Sequence, residues 1–376
     1  MTVFKKKTEL AKGVFWPSYL IGIAVIVLGI ANQKLFGSIL DAGLNWVSDN
    51  FGWWLVLFAL ILVLLVFGLA FSKAGDVVIG GAGAKPEYTM WQWFSMSLKG
   101  GIGTGILFWA MGEPIFHMAA PPAAAGAQPF TREAGLFAIS QTMLHWTIAQ
   151  YAMYSLCAVG VALMAYNRRR TISVSSIFEP YLSSSVYGVV KTVVPMVSLF
   201  CIVGALACSM AVGLMQINSG LNFFFGLPID GVTVFAIAAI MVTVYVVSCL
   251  TGIKKGMRVL SSFCTIVFIG LMVYVLCLGP TRFIVDAGTE SLGVFFNRFF
   301  EHSVILPTMA GNETWSKSWI IMFMASFFVY APIIGLFLAR LGKGRTVREF
   351  IFMNIGAPTL FCIVWIAIWG GTTVWL

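Results

Sequence analysis

Apolar residues recur in nine long runs along the 376-residue chain, with short polar connections between them. Each run has about 20 residues or more, the length that an α-helix needs to cross roughly 30 Å of hydrocarbon. The pattern therefore predicts an all-α polytopic membrane protein that forms a single transmembrane domain over residues 1–376. The predicted spans cover residues 14–36, 53–71, 92–117, 134–166, 187–217, 229–250, 258–279, 318–341 and 350–375.

The third span has an unusual centre. It is apolar enough to cross a bilayer, yet glycines cluster beside a lysine in its middle, and Glu113 precedes a proline near its end. Each glycine costs about 1 kcal/mol in a helix interior. Irregular backbone at membrane depth is tolerated only where it is buried in protein or lines a cavity. The sequence thus predicts a binding site at the glycines that follow Lys99, namely Gly100, Gly101, Gly103 and Gly105.

Composition and charge agree with a membrane protein and indicate its orientation. The chain is 60% hydrophobic and 10% charged, against about 25% charged residues in soluble proteins. With a cytoplasmic N-terminus, the cytoplasmic connections hold seventeen of the 23 Lys and Arg residues and the opposite connections hold five. This bias predicts a multi-pass protein of the cell inner membrane whose N-terminus is cytoplasmic. It also explains the net charge of +9 without a nucleic-acid partner.

Two ionisable residues, Lys99 and Glu113, lie at apparent membrane depth in the third span. A charge there costs at least about 2.5–3.5 kcal/mol unless it is compensated. The two residues are about 21 Å apart along an ideal helix, so each needs a different partner unless the glycines fold the segment. Lys99 either has a functional role or reaches the cytoplasmic headgroups. Glu113 is either functional or a buried hydrogen-bonding group of the structure.

The fourth span carries aromatic residues that suit a cationic ligand. Trp146, Gln150 and Tyr154 recur at a spacing of four, which would put them on one face of a continuous helix. Aromatic faces attract quaternary ammonium groups by cation–π contact. An ordinary packed aromatic helix contact is the alternative. In the eighth span, Pro332 suggests a second broken helix.

We find no motif for catalysis, so the protein is not expected to be an enzyme. Its three histidines, His117, His145 and His302, lack the spacing of metal ligands, and we expect no metal and no organic cofactor. The seven cysteines lie in or beside apolar segments and predict neither disulfides nor a metal site. Between the seventh and eighth spans, residues 281–317 predict a short amphipathic helix on the outer surface. The ninth span reaches Leu376 without a polar tail, from which we expect the sequence to lack C-terminal helices.

Seven ordered motifs together resemble the betaine/carnitine/choline transporter family. The motifs are WFSM at 93–96, GIGTG at 101–105, LFWAMGEP at 107–114, HW at 145–146, SMAVGLMQINSGL from residue 209, KKGMRVLS at 254–261 and FLARLGKGRTVRE at 337–349. The resemblance implies an inverted five-plus-five helix repeat of the LeuT-like type, preceded by two extra N-terminal helices and here C-terminally incomplete. It also implies a homotrimer and a small-molecule solute such as betaine, choline or carnitine.

By this resemblance, Trp146, Tyr151 and Tyr154 match solute-binding positions on the fourth span, although Tyr151 stands where the family often has Trp. In the eighth span, the family's Trp-rich motif is replaced by Met324, Ala325, Ser326 and Phe327, followed by Tyr330. Phe327, Phe328 and Tyr330 would supply weaker aromatic faces. The glycines Gly101, Gly103 and Gly105 would let the backbone approach the solute.

A second difference from the family, after the missing tryptophans, concerns the ion to which transport is coupled. Sodium-coupled relatives have a small apolar residue at the position of Lys99, so an ammonium group here is expected to take the place of sodium. Family exchangers place a basic residue on the seventh span instead, where this chain has Cys264. We therefore expect sodium-independent exchange or proton coupling, with Lys99 and Glu113 as coupling residues. The alternatives are a sodium-coupled symporter of an amino-acid-like or sulfonate solute, and a non-transporting sensor or channel.

Overall fold

The computed structural model describes residues 11–101, 104–250, 253–308 and 312–376, and these are nearly all helical. Within these ranges the α-helices are α1 (Lys12–Ala31), α2 (Gln33–Phe71), α3 (Met90–Gly101), α4 (Thr104–Ala119), α5 (Arg132–His145), α6 (Ile148–Ala162), α7 (Ser184–Phe225), α8 (Gly231–Leu250), α9 (Ile253–Leu278), α10 (Thr281–Asn297), α11 (Phe299–Ser303), α12 (Glu313–Ser316), α13 (Met322–Ala339), α14 (Val347–Ile351) and α15 (Ala357–Trp375).

Eight helical segments of the described chain are long and apolar enough to cross a membrane. They confirm the prediction of an all-α, multi-pass membrane protein. Eight of the nine predicted spans have a counterpart among them. The remaining one is the third predicted span, at 92–117. The structure describes it as α3 and α4, and residues 102–103 between these helices lie outside the described residues.

Three predicted features of the backbone are wrong. Residues 37–52, predicted as a connection, belong to the 39-residue α2, because the Asn32 side chain accepts a hydrogen bond from Leu35 N and starts that helix directly after α1. The fourth span is not one helix, since α5 ends at His145 and α6 begins at Ile148. Conversely, α13 continues through Pro332, because the helix on both sides is held by its own hydrogen bonds and by packing along α6.

The buried core lies where α4, α5, α6, α13 and α15 pack together. Helices α1, α7, α8 and α9 instead expose apolar side chains over much of their length, as helices in contact with lipid do. A helix is present within 281–317 as α10, whose Ile284, Ala287, Ser291 and Phe295 form one buried face, and its place on the outer surface stays a prediction. That face packs on α5 and α15.

The basic segment after α13 is tied to the connection that follows α2. Arg348 donates hydrogen bonds to the carbonyl of Ala70 and to the carboxylate of Asp76. Gly344 has φ +80°, and a Cβ on it would lie 2.3 Å from the carbonyl carbon of Lys85. A glycine is required there both for its backbone conformation and for this close approach. A solvated loop would account for the positive charge of this segment, but not for its particular residues. The contacts above explain why Gly344 and Arg348 are there.

Candidate functional site

An aromatic cluster, consisting of Trp146, Tyr154, Phe323 and Phe327, fills the space between α6 and α13. All four side chains are buried. The Trp146 ring lies 5.2 Å from the Phe323 ring and 6.1 Å from the Phe327 ring, edge to face in both pairs. Tyr154 meets Phe327 at 6.4 Å and 90°. The structure therefore brings together three of the predicted solute-binding side chains, those of Trp146, Tyr154 and Phe327. It adds Phe323, which lies on the same face of α13 one turn before Phe327.

The Trp146 ring rests against the backbone of α4 at Gly105. A Cβ added to Gly105 would lie 2.8 Å from Trp146 Cη2 and 3.3 Å from Cζ3. Gly105 thus provides room for the indole, which is a physical reason for glycine that differs from the predicted approach of backbone to solute. Gly101 is the last residue of α3, and Gly103 lies outside the described residues.

Tyr151 and Tyr330 lie next to the cluster but direct their hydroxyl groups to other helices. The Tyr151 hydroxyl is 3.4 Å from Cys362 Sγ on α15. The Tyr330 hydroxyl donates to the carbonyl of Ala205 at 2.9 Å and contacts Ser209 Oγ at 2.7 Å, both on α7. These two tyrosines therefore connect the cluster to α15 and α7 through their polar ends.

Lys99 points its ammonium group at the face of an aromatic ring on α9. Its Nζ lies 3.2 Å from the centroid of Phe268, and the structure gives this buried nitrogen no hydrogen-bond partner in the described ranges. Cys264, one turn before Phe268, and Cys362 lie close enough to interact electrostatically with Lys99. The lysine thus brings a positive charge from α3 to the side of α9 that carries Cys264.

Glu113 is the centre of a fully buried polar group that we call the Glu113 cluster, made of Glu113, His117, Gln141 and His145. All four side chains are inaccessible to solvent. Glu113 Oε1 lies 2.5 Å from His145 Nδ1 and 3.1 Å from His117 Nε2. Its second oxygen, Oε2, accepts a hydrogen bond of 2.8 Å from the indole Nε1 of Trp146. The carboxylate therefore holds the aromatic cluster directly.

Hydrogen-bond partners fix the protons on both imidazoles. Trp315 Nε1 can only donate, so His117 Nδ1 accepts from it at 3.1 Å and His117 Nε2 carries the proton toward Glu113. Gln141 Nε2 lies 2.9 Å from His145 Nε2 and donates to it, so Nδ1 carries the proton of His145. The carboxylate accordingly accepts three N–H groups. Such a set of donors stabilises a buried carboxylate without a basic side chain.

The atoms of Glu113, His117 and His145 that face each other lie within 4.8 Å of one another, a spacing that would admit a metal ion. In the arrangement just described, however, each imidazole turns an N–H toward the carboxylate and its lone pair toward Trp315 or Gln141. No imidazole lone pair of these residues faces the centre. The geometry is that of a hydrogen-bonded cluster.

Sequence reasoning identified Glu113 but missed its partners. His117 follows Glu113 by four residues, a spacing that puts both on one helical face and is visible in the sequence. His145 and Gln141 are about thirty residues away on α5 and carry no local signal of the contact. Phe323 is likewise detectable only as the residue one turn before Phe327.

A multi-pass helical bundle with a buried aromatic cluster and isolated ionisable side chains at its centre is typical of membrane transporters of small solutes. Residues 13–376 match the model of the family described as BCCT, betaine/carnitine/choline family transporter. The chain belongs to this family. The family consists of transporters, which points away from an enzyme.

Individual relatives are similar along nearly the whole chain. A probable glycine betaine transporter of Desulfitobacterium hafniense is 28% identical over 95% of this chain and 71% of the relative. An ectoine/hydroxyectoine transporter of Virgibacillus pantothenticus is 28% identical over 98% of this chain and 73% of the relative. An osmo-dependent choline transporter of Acinetobacter baylyi is 29% identical over 98% of this chain and 53% of its own length.

Proposed function

We propose that the protein is a secondary transporter that moves a small quaternary-ammonium or zwitterionic solute across the membrane by alternating access. The aromatic cluster is the observation that carries the proposal. It presents one indole and three six-membered rings at the junction of α6 and α13. The faces of such rings attract a desolvated cation by about 2 kcal/mol or more. The solutes in the names of the relatives, glycine betaine, ectoine and choline, have this compact cationic character.

The test is uptake of radiolabelled betaine, choline and carnitine by the protein in proteoliposomes. Saturable uptake that unlabelled solute competes for would support the proposal. Linear uptake without counterflow would indicate a channel, and absence of both uptake and binding for all three solutes would contradict the solute class. In that case an amino-acid-like or sulfonate solute is the next candidate, because two of the cluster's rings are Phe rather than Trp.

Lys99 supports a second element of the proposal, namely transport that does not require sodium. Its ammonium group already occupies the region between α3 and α9, where it contacts Phe268. A fixed positive charge there would repel a sodium ion and replace its electrostatic role. Sodium-independent uptake by the unaltered protein is therefore expected, either as exchange or coupled to protons.

The experiment compares uptake with and without external sodium in three variants. Lys99→Ala removes the charge and should lower sodium-free uptake at least tenfold, with part of the activity restored by sodium. Lys99→Arg keeps the charge and should retain sodium-free uptake. Lys191→Ala, which removes a charge from the N-terminal part of α7, is the control. Sodium-dependent uptake by the unaltered protein would refute the substitution of sodium by Lys99.

The proposal extends to topology and assembly. A cytoplasmic N-terminus in the inner membrane is supported by the distribution of Lys and Arg among the connections. Reporter fusions to the connection between α2 and α3 and to the connection between α4 and α5 would test it. A homotrimer is the assembly expected for the family, and native mass spectrometry in detergent would measure it.

A further inference from the structure

The strongest feature that the proposed function does not use is the Glu113 cluster. In the arrangement of hydrogen bonds described above, Glu113 is ionised and both imidazoles are neutral, so the cluster carries one negative charge at a site with no solvent exposure. The three N–H donors stabilise the carboxylate, but they are neutral, so the cluster keeps a net negative charge in a protein interior, where a counter-charge is favourable. The cluster therefore has a reason to bind one positive charge.

Gln141 provides the place for that charge. Its Nε2 donates to His145 Nε2, while its Oε1 is buried and has no hydrogen-bond partner within the described residues. If His145 Nε2 takes up a proton, rotation of the amide by half a turn brings Oε1 to that proton as an acceptor. The rotated state pairs the oxygen that is now unpaired, and it moves the amide NH2 group to the place that the oxygen occupied. One proton from solvent converts His145 to an imidazolium beside the Glu113 carboxylate, and the hydrogen bonds that Glu113 accepts are kept.

Among the described residues, titratable groups face the cluster from α4 and from the cleft beside α11, which Arg132, Glu133 and Glu290 also line. His117 shares the carboxylate from α4, with its second nitrogen committed to Trp315. His302 on α11 lies beyond Phe137, whose ring is 5.2 Å from that of His302 and 6.0 Å from that of His117. Glu301 and Arg298 accompany His302. Helices α12 and α13 contribute Trp315 and Phe323, which do not titrate at these pH values.

A proton has a short way to the cluster from the surface. Phe137 and His302 line a surface cleft of about 640 Å³. The Phe137 ring, which lines this cleft, lies 6.0 Å from the ring of His117. Movement of this ring is the route by which the proposal brings a proton to the cluster.

The cluster is joined to the aromatic cluster at two points. Glu113 Oε2 accepts the indole N–H of Trp146. The His145 ring lies 4.9 Å from the Phe323 ring at an angle of 35°. Protonation of His145 would weaken the hydrogen bond from the Trp146 indole to the carboxylate. It would also place a positive charge next to the Phe323 ring. Both effects disfavour a cation in front of these rings.

We propose that Glu113, His145 and Gln141 form a proton-binding site that competes with the cationic solute, so that solute binding at the aromatic cluster releases a proton. The inference rests on the proposed function for its coupling to solute. The proton site itself stands on the geometry of the cluster. One proton leaves His145 Nε2 for solvent as one cation enters, and the charge in this region of the protein stays constant. Each solute cation that binds would then displace one proton from the protein.

The first experiment measures choline binding to purified protein between pH 5 and 8.5, together with proton release in weakly buffered solution. Below the titration point of the site, the apparent Kd should rise by up to about tenfold per pH unit, the limit for one proton. Gln141→Leu removes the acceptor for the added proton and should move the titration to lower pH. Glu113→Gln should abolish both the proton release and the pH dependence.

Thr142→Val is the matched control, because Thr142 is buried beside Gln141 and its hydroxyl bonds only to the Ala138 carbonyl of its own helix in the described structure. It should leave the pH profile unchanged. Choline binding that is independent of pH, or a pH profile that Gln141→Leu and Glu113→Gln leave unaltered, would overturn the proposal without affecting the proposed solute class.

A second measurement does not depend on any solute. The fluorescence of Trp146, taken as the difference between the unaltered protein and Trp146→Phe, should change in a one-proton transition as the pH is lowered. Gln141→Leu should shift this transition to lower pH, whereas Thr142→Val should not. If no solute binds but this transition is present, the proton site stands and the proposed function fails. A flat fluorescence titration overturns the proton site.

Discussion

The contact between Gly105 and Trp146 can be tested with a single methyl group. In Gly105→Ala the new Cβ would lie 2.8 Å from Trp146 Cη2, closer than real Cβ contacts allow, so one of the two must move. The indole is held on its other side by Glu113 and packs on Phe323. Overpacking of this kind costs about 1–3 kcal/mol. The better helix propensity of Ala returns about 1 kcal/mol, so the net effect is a destabilisation of about 0–2 kcal/mol.

The matched control is Gly204→Ala, at a position in α7 where a Cβ meets no atom within 4 Å. Ala there should leave stability unchanged or raise it by up to about 1 kcal/mol. Thermal unfolding in detergent should therefore give Gly105→Ala the lower midpoint. Displacement of the indole should also weaken choline binding about tenfold, which corresponds to about 1.4 kcal/mol.

A double-mutant cycle identifies the cause. In a Trp146→Phe background the shorter ring does not reach Gly105, so Gly105→Ala should cost little further stability. The reasoning is refuted if Gly105→Ala and Gly204→Ala have the same midpoint and the same choline affinity. It is also refuted if the effects of Gly105→Ala and Trp146→Phe simply add.

Two further predictions concern segments outside the membrane-spanning helices. Burial lowers the pKa of His302 from 6.5 to about 4; the unfolded chain therefore binds a proton that the folded protein does not between these values, and stability should fall as the pH is lowered through this window. His302→Gln should reduce this slope of thermal midpoint against pH, and an unchanged slope would contradict the assignment. Gly344→Ala should lower the midpoint more than Gly126→Ala, since both glycines have positive φ but only Gly344 would place a Cβ against backbone. Equal midpoints would show that the approach of Lys85 is not a constraint.

The spans were predictable because the thickness of the hydrocarbon fixes the length of an apolar helix whatever its partners are. Lys99 and Glu113 could be recognised as unusual for the same reason. The ends of helices were less predictable where a polar stretch can be helical as well as irregular. Residues 37–52 contain Asp41, Asn45 and Asp49, which resemble a connection, and yet they continue α2.

The break between α5 and α6 illustrates what the sequence leaves open. Nothing in HWTIA ends a helix as Gly or Pro would. At this point the Trp146 indole and the His145 ring both bond to Glu113 on α4. Thr147 then adopts φ −124° and ψ −115° before α6 begins. The backbone conformation is thus set by the contacts of His145 and Trp146 with Glu113, which precedes them by 32 and 33 positions in the chain. No local pattern reveals such contacts.

This contact also bears on how a site with few tryptophans would hold a cation. A cage of several indoles can tolerate some freedom in each ring, because many faces are available. In the proposed site one indole would carry most of the cation–π attraction, so its position matters more. Its nitrogen is bonded to a buried carboxylate, its six-membered ring rests on Gly105, and its edge meets Phe323. A ring fixed in advance loses less conformational entropy on binding. The Glu113 cluster would then serve affinity and proton coupling through the same hydrogen bond, and substitution of Glu113 should change both together.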